Sequence, residues 1–162
     1  MNKLVKTFFA LLLVAGCSPK AEVETLSIET ANGKVTYTIE EANTREEQER
    51  GLMDRTSLEA DHGMIFNITP VRRVAMWMKD TKFPLDMVFI DENGMIIQTY
   101  ENAEAMSEYK IVSNVPVRAV IEINAGDIKK HNIQAGQKVD FKYFQKQETK
   151  QEVKTEAKQE QK

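Results

Sequence analysis

Thr25-Leu26-Ser27-Ile28-Glu29-Thr30 is followed by Ala31-Asn32-Gly33-Lys34 and then by Val35-Thr36-Tyr37-Thr38-Ile39. Apolar and polar residues alternate on both sides of Asn32-Gly33. A period of two is the pattern of a half-buried strand, and Asn-Gly tolerates the positive φ that a tight hairpin turn demands. The segment therefore predicts two antiparallel strands at the start of a β domain. The signal recurs further on, where Met87 to Ile90 and Met95 to Tyr100 flank Asn93-Gly94.

Working outward, Gly63-Met64-Ile65-Phe66, Val74 to Met78 and Val139 to Phe144 read as further strands. In Val117 to Ile123, Val117, Ala119, Ile121 and Ile123 fall on one face, and Arg118, Val120 and Glu122 on the other. Pro84 lies between strands, where its missing N–H is tolerated. The polar stretch 101–114 reads as loop. Thr44-Arg45-Glu46-Glu47 has the spacing of a capping box, which predicts a short helix stopping near Gly51. Gly126 to His131 predicts a second. Many short strands with regular turn signals indicate a mainly β (α+β) fold over residues 23–144: a small antiparallel sandwich or barrel-like domain with one or two short helices.

The ends of the chain differ from this domain. Lys3 and Lys6 precede the apolar run Phe8 to Val14, and Ala15-Gly16 lead into Cys17, the single cysteine. The run is too short for a bilayer span, which takes roughly 20 apolar residues. A basic start, an apolar centre and a small-residue end are the layout of a secretory signal over residues 1–16. The segment resembles the lipobox of bacterial lipoproteins, which implies that Cys17 is lipidated and heads a short linker, residues 17–22. The acyl chains implied by that resemblance suffice for stable anchoring, which takes more than one chain. Those lipoproteins carry Asp after the cysteine when they are retained at the inner membrane, and this chain has Ser18. The resemblance thus implies a protein facing the periplasm from the outer membrane, or from the outer face of the cell membrane in an organism with one membrane. At the other end, residues 145–162 are almost free of apolar residues. Lysines and glutamates there each recur every four positions, which would stack like charges along a helix, so the tail reads as a disordered polyampholyte.

The chain carries 22 basic and 25 acidic residues; loss of Lys3 and Lys6 with the signal raises the acidic excess from three to five. That balance argues against a nucleic-acid partner, which calls for a basic surface. With Cys17 lipidated, no thiol is left for a disulfide or for nucleophilic chemistry.

The central block reads Arg50-Gly51-Leu52-Met53, Gly63-Met64-Ile65-Phe66, Met76-Trp77-Met78-Lys79-Asp80-Thr81 and Pro84-Leu85-Asp86. In order and spacing it resembles the domain of unknown function 192 family, from about Thr44 to Phe141. That family usually has Asn where Asp80 stands. The resemblance implies a compact β-rich domain and no particular reaction.

Candidate chemistry gathers in this block. Arg50, Lys79, Asp80 and Asp86 border apolar strands, and Trp77, with Phe66 and Phe83, offers an apolar wall. A binding pocket places a few polar groups in such a concavity. Asp80, Asp86 and Lys79 also suggest a carboxylate- and lysine-based enzyme acting on an envelope substrate, provided they converge. Met76 and Met78, two apart, could offer thioethers to Cu(I), with His62 adding a nitrogen; filling irregular core gaps is the commoner use of methionine. No G-x-S-x-G, H-E-x-x-H or phosphate-binding glycine loop is present. No cofactor is expected. The reading is an anchored, non-catalytic accessory module that binds a small ligand or an envelope protein.

Overall fold

In the computed structural model, which describes residues 24–144, the Asn32-Gly33 turn joins β1 (Glu24–Thr30) to β2 (Gly33–Ala42) in antiparallel register, Thr30 opposite Gly33. The remaining elements are α1 (Arg45–Arg50), β3 (His62–Arg72), β4 (Ala75–Met76), β5 (Leu85–Ile90), β6 (Ile96–Ala103), β7 (Ile111–Val112), β8 (Val117–Asn124), α2 (Asp127–His131) and β9 (Val139–Asp140). Seven strands form one sheet in the order β6-β5-β8-β3-β2-β1-β9, and β4 pairs with β7 apart from it. The mainly β class follows from the alternating runs.

The sheet curls into a half-barrel whose two edges approach each other. Ile96 N–H donates to Gln137 O at 2.9 Å, Gly136 N–H to Ile96 O at 2.8 Å and Val139 N–H to Gly94 O at 2.8 Å. Gly94 is required there: at φ +78°, a Cβ would lie 3.0 Å from both Val139 O and the Phe144 ring. The enclosed face carries Leu26, Tyr37, Ile65, Val88, Ile121 and Phe141, all buried.

One pairing decides where a site can form. β2 and β3 run parallel, Ile39 opposite Gly63. Parallel neighbours cannot be joined by a tight turn. Residues 43–61 therefore cross over the outer face of the sheet, carrying α1. Thr44 starts the helix by the capping box: its hydroxyl accepts from Glu47 N–H at 3.2 Å, and the Glu47 carboxylate accepts from Thr44 N–H at 2.8 Å. Leu52 and Leu58 of the crossover pack on Met64, Phe66, Met87 and Phe89 in a second apolar cluster. Both faces of β5 and β8 are thus covered, and all six residues of β5 are buried.

Three expected elements differ. Val74 to Met78 is extended only at Ala75–Met76, because the Met78 N–H is taken by Ser107 O at 2.9 Å and the chain turns from Met78 to Thr81. The stretch 101–114 is not all loop: β6 continues to Ala103, and β7 pairs with β4. The closing strand stops at Asp140. An extended run would send Phe141 and Phe144 to opposite faces; a helical turn, with Phe144 N–H on Phe141 O at 2.9 Å, instead puts both into the enclosed core. The signal segment, Cys17, the linker to residue 22 and the 145–162 tail lie outside the described residues. Among the described residues no helix is long and apolar enough to cross a membrane.

Candidate functional site

The crossover leaves a cleft of about 580 Å³ on the outer face, between α1, the end of β3 and β4. The β3–β8 register shifts between Asn67 and Arg72, which swings Thr69 and Arg72 out to form one rim. A polar net holds the back wall. Gln48 donates to Asn67 O at 2.7 Å, and Asn67 donates to Asn43 Oδ1 at 2.7 Å. Arg118 donates to Asn67 Oδ1, and the Tyr143 hydroxyl shares its one proton between the Glu41 carboxylate and Asn43 Oδ1, 2.6 Å away.

Trp77, the only tryptophan in the chain, lines the cleft half-buried. Lys110 Nζ sits 3.1 Å from the centroid of its ring and Lys79 Nζ 5.6 Å from it. An ammonium over an indole face is attracted by the ring quadrupole. A neighbouring chamber of about 50 Å³ shares Phe66, Met76 and Trp77 with the cleft, and its lining includes Arg50, Gly51, Thr81 and Glu122. Gly51 lets the crossover pass close above the sheet: at φ +48°, a Cβ would stand 3.2 Å from the Phe66 ring.

Glu122 lines this chamber. It lies on β8 between Met64 of β3 and Met87 of β5, and is 4% exposed. Its carboxyl has no hydrogen-bond or ion-pair partner among the described residues. Burial alone pushes it up to about 8, so it is the neutral acid at pH 7. A strongly perturbed carboxyl in a cleft is the physical mark of a candidate site.

The sequence-derived candidates divide. Arg50, Trp77, Lys79 and Asp80 lie on the crossover side. Asp80 is exposed with φ +56°, and its carbonyl accepts from Asp54 N–H at 3.0 Å, tying two turns together. The left-handed conformation accounts for an Asn or Asp at this position. Asp86 is elsewhere. Fully buried on the enclosed side of β5, it accepts from Asn102, Gly126 and Ile128 N–H at 2.8, 2.9 and 2.9 Å. Its placement in a shared pocket with Lys79 and Asp80 is corrected: the sheet separates them, and the convergence needed for a Lys79–Asp80–Asp86 enzyme is not formed. The copper set is also divided. Met78 is 1% exposed in the outer apolar cluster, Met76 lines the cleft, and His62 at the start of β3 bonds Ala60 O at 2.9 Å. Among the described residues no cluster of three or more His, Cys, Asp or Glu could hold a metal ion. Of the expected apolar wall, Phe66 and Trp77 line the cleft, whereas Phe83 packs into the outer cluster.

In the sequence Glu122 carries no site signal, because an acid alternating with apolar residues reads as a solvent-facing position. The signal against that reading is Ala119-Val120-Ile121, apolar on both faces just before it.

Fold and cleft define a small curled-β domain with a concavity on its outer face. The model of the domain of unknown function 192 family (DUF192, "Uncharacterized ACR") matches residues 27–141, and the chain belongs to this family. A crystal structure of a candidate transcription regulator from Sinorhizobium meliloti 1021 is 40% identical, with a TM-score of 0.72 over 74% of this chain and 94% of that one. A protein of unknown function from Novosphingobium aromaticivorans DSM 12444 is 32% identical, with a TM-score of 0.72 over 74% of this chain and 85% of its own. No curated protein matches.

Proposed function

We propose that this chain is a lipid-anchored envelope protein whose domain is a non-catalytic binding module, taking a small ligand into the cleft beside Trp77. The observation that carries the reading is the cleft itself. It pairs an aromatic wall and cationic side chains with a small neighbouring chamber lined by an unpartnered carboxyl. That combination of apolar lining and a few directed polar groups is the usual make-up of a ligand site.

The anchor rests on the sequence around Cys17. From Cys17 to Glu24 an extended chain reaches about 25 Å, so lipidation would hold the domain close to the bilayer. Two experiments test the two halves. Fatty-acid labelling of the full chain in a bacterial envelope is expected to mark the wild type and not Cys17→Ser; label that survives the substitution removes the anchor. Trp77 reports on the cleft directly, being the only tryptophan. A panel of envelope-derived small molecules is expected to contain compounds that shift its emission and raise the melting temperature. A panel that does neither removes the binding module.

A further inference from the structure

We infer that the chamber lined by Glu122 receives the carboxylate head of an anionic ligand, with Glu122 donating a hydrogen bond from its acid form and the cations of the cleft meeting the charge. The inference rests on the cleft's being a ligand site and adds the chemistry of the head group.

The first ground is the charge around the cleft. Four described basic residues are ion-paired: Arg45 with Glu49 at 2.8 Å, Arg55 with Glu40, Lys142 with Glu24 at 2.7 Å and Lys34 with Glu29 at 3.7 Å. Arg50, Arg72, Lys79 and Lys110 have no carboxylate partner among the described residues, and all four border the cleft or stack on its tryptophan. In a chain of net charge −3 this places four cations not held by a carboxylate around one opening. Such an opening attracts anions and repels cations.

The second ground is Glu122. A buried carboxyl with no partner costs stability unless something satisfies it. The groups packed around it are Met64 from β3, Met87 from β5, Met76 and Trp77 beyond β4, Thr81, and the end of α1 with its turn. The charged side chains among them are Glu49, engaged with Arg45, and Arg50. Neither is close enough to ionise Glu122, whose carboxyl is shifted by burial alone. A neutral acid is a donor. An amine entering the chamber would have to pass the cations and then strip the proton; a carboxylate needs neither step. The chamber, about 50 Å³, accommodates a head group of a few heavy atoms, while the wider cleft takes the body of the ligand beside Trp77 and Phe66.

The test uses the described domain within the full chain and three probes that share a ring: benzoate, benzylamine and benzyl alcohol. Benzoate is expected to change Trp77 emission, and the other two to bind at least tenfold more weakly. Its affinity should be flat from pH 6 to 7.5 and fall up to tenfold per pH unit above about 8, as Glu122 ionises. Calorimetry at pH 8.5 in two buffers should show proton uptake on binding. Glu122→Gln keeps a donor and should bind benzoate without the loss above pH 8. Preferential binding of benzylamine, tightening as pH rises, overturns the inference while leaving the cleft a binding site. Benzoate affinity with no pH dependence in the wild type overturns it as well. Silence of all three probes overturns it too, and the wider panel then decides the binding module separately.

Discussion

Asp86 and Glu122 lie one step apart across the β5–β8 ladder, Asp86 opposite Ile123 and Glu122 opposite Met87. Both are buried, at 0% and 4% exposure, and they face opposite sides of the same sheet. Asp86 meets the start of α2, where Gly126 supplies no side-chain cap of its own. Its carboxylate takes two of the helix's leading N–H groups and a third from Asn102. Glu122 meets the α1 crossover, where Gly51, Leu52 and Met53 stand beside Gln48, Glu49 and Arg50, and it takes no hydrogen bond from them. What separates a structural acid from a poised one here is the segment laid over each face, since depth and strand context are nearly equal. Asp86 is a cap reaching across the fold; Glu122 is an acid waiting for a donor or acceptor.

Breaking the satisfied member should have the largest effect. Asp86→Ala orphans three N–H groups at once, that of Ile128 buried, and is expected to cost roughly 2–4 kcal/mol in urea unfolding, with loss of α2 protection in hydrogen exchange. Asp86→Asn, which keeps an acceptor, should cost less. Equal losses for the two variants would mean that packing and not capping holds this site.

Relieving the unsatisfied member sharpens the contrast. The carboxyl of Glu122 stands at about 8 when folded, against an ordinary 4.5. The folded state therefore binds a proton that the unfolded chain releases, and stability falls as pH rises through that window, levelling off above it. From this group alone the fall between pH 4.5 and pH 7 is roughly 3 kcal/mol. Glu122→Gln should lack the slope, so its stability relative to the wild type should climb across the same range. Parallel pH profiles would show that Glu122 is not held as the acid.

The smallest effect belongs to the crossover that covers Glu122. Thr44→Ala removes the capping-box hydroxyl and should cost about 1 kcal/mol. It should also raise exchange at Glu47 N–H, which donates to the Thr44 hydroxyl, while leaving the Asp86 side of the sheet unchanged. A loss that spreads evenly over both faces would argue that the crossover and the enclosed core unfold as one unit.

Much of the scaffold was legible in the chain. Asn32-Gly33 and Asn93-Gly94 each lie at a hairpin turn, and Thr44 and Glu47 close the predicted box, because these signals act within a few residues. The site was legible only in part. Trp77 and Arg50 could be singled out by residue type, but the parallel β2–β3 pairing is a long-range choice with no local signature. Without it there is no way to know that β8 is covered on both sides, or that Glu122 is buried. The same blindness placed Asp86 in a pocket: its partners Gly126 and Ile128 lie 40 and 42 residues away.

The meeting of the sheet's edges has a further consequence. An open sheet offers a row of free N–H and C=O groups to any passing strand, and proteins crowded side by side are most exposed to that hazard. Here the start of β6 is occupied by Gly136 and Gln137, and the opposite edge strand, β9, is two residues long. At that corner little ladder is left to extend. Copies of this domain that met at the closed corner would find no ladder there to which a strand could be added.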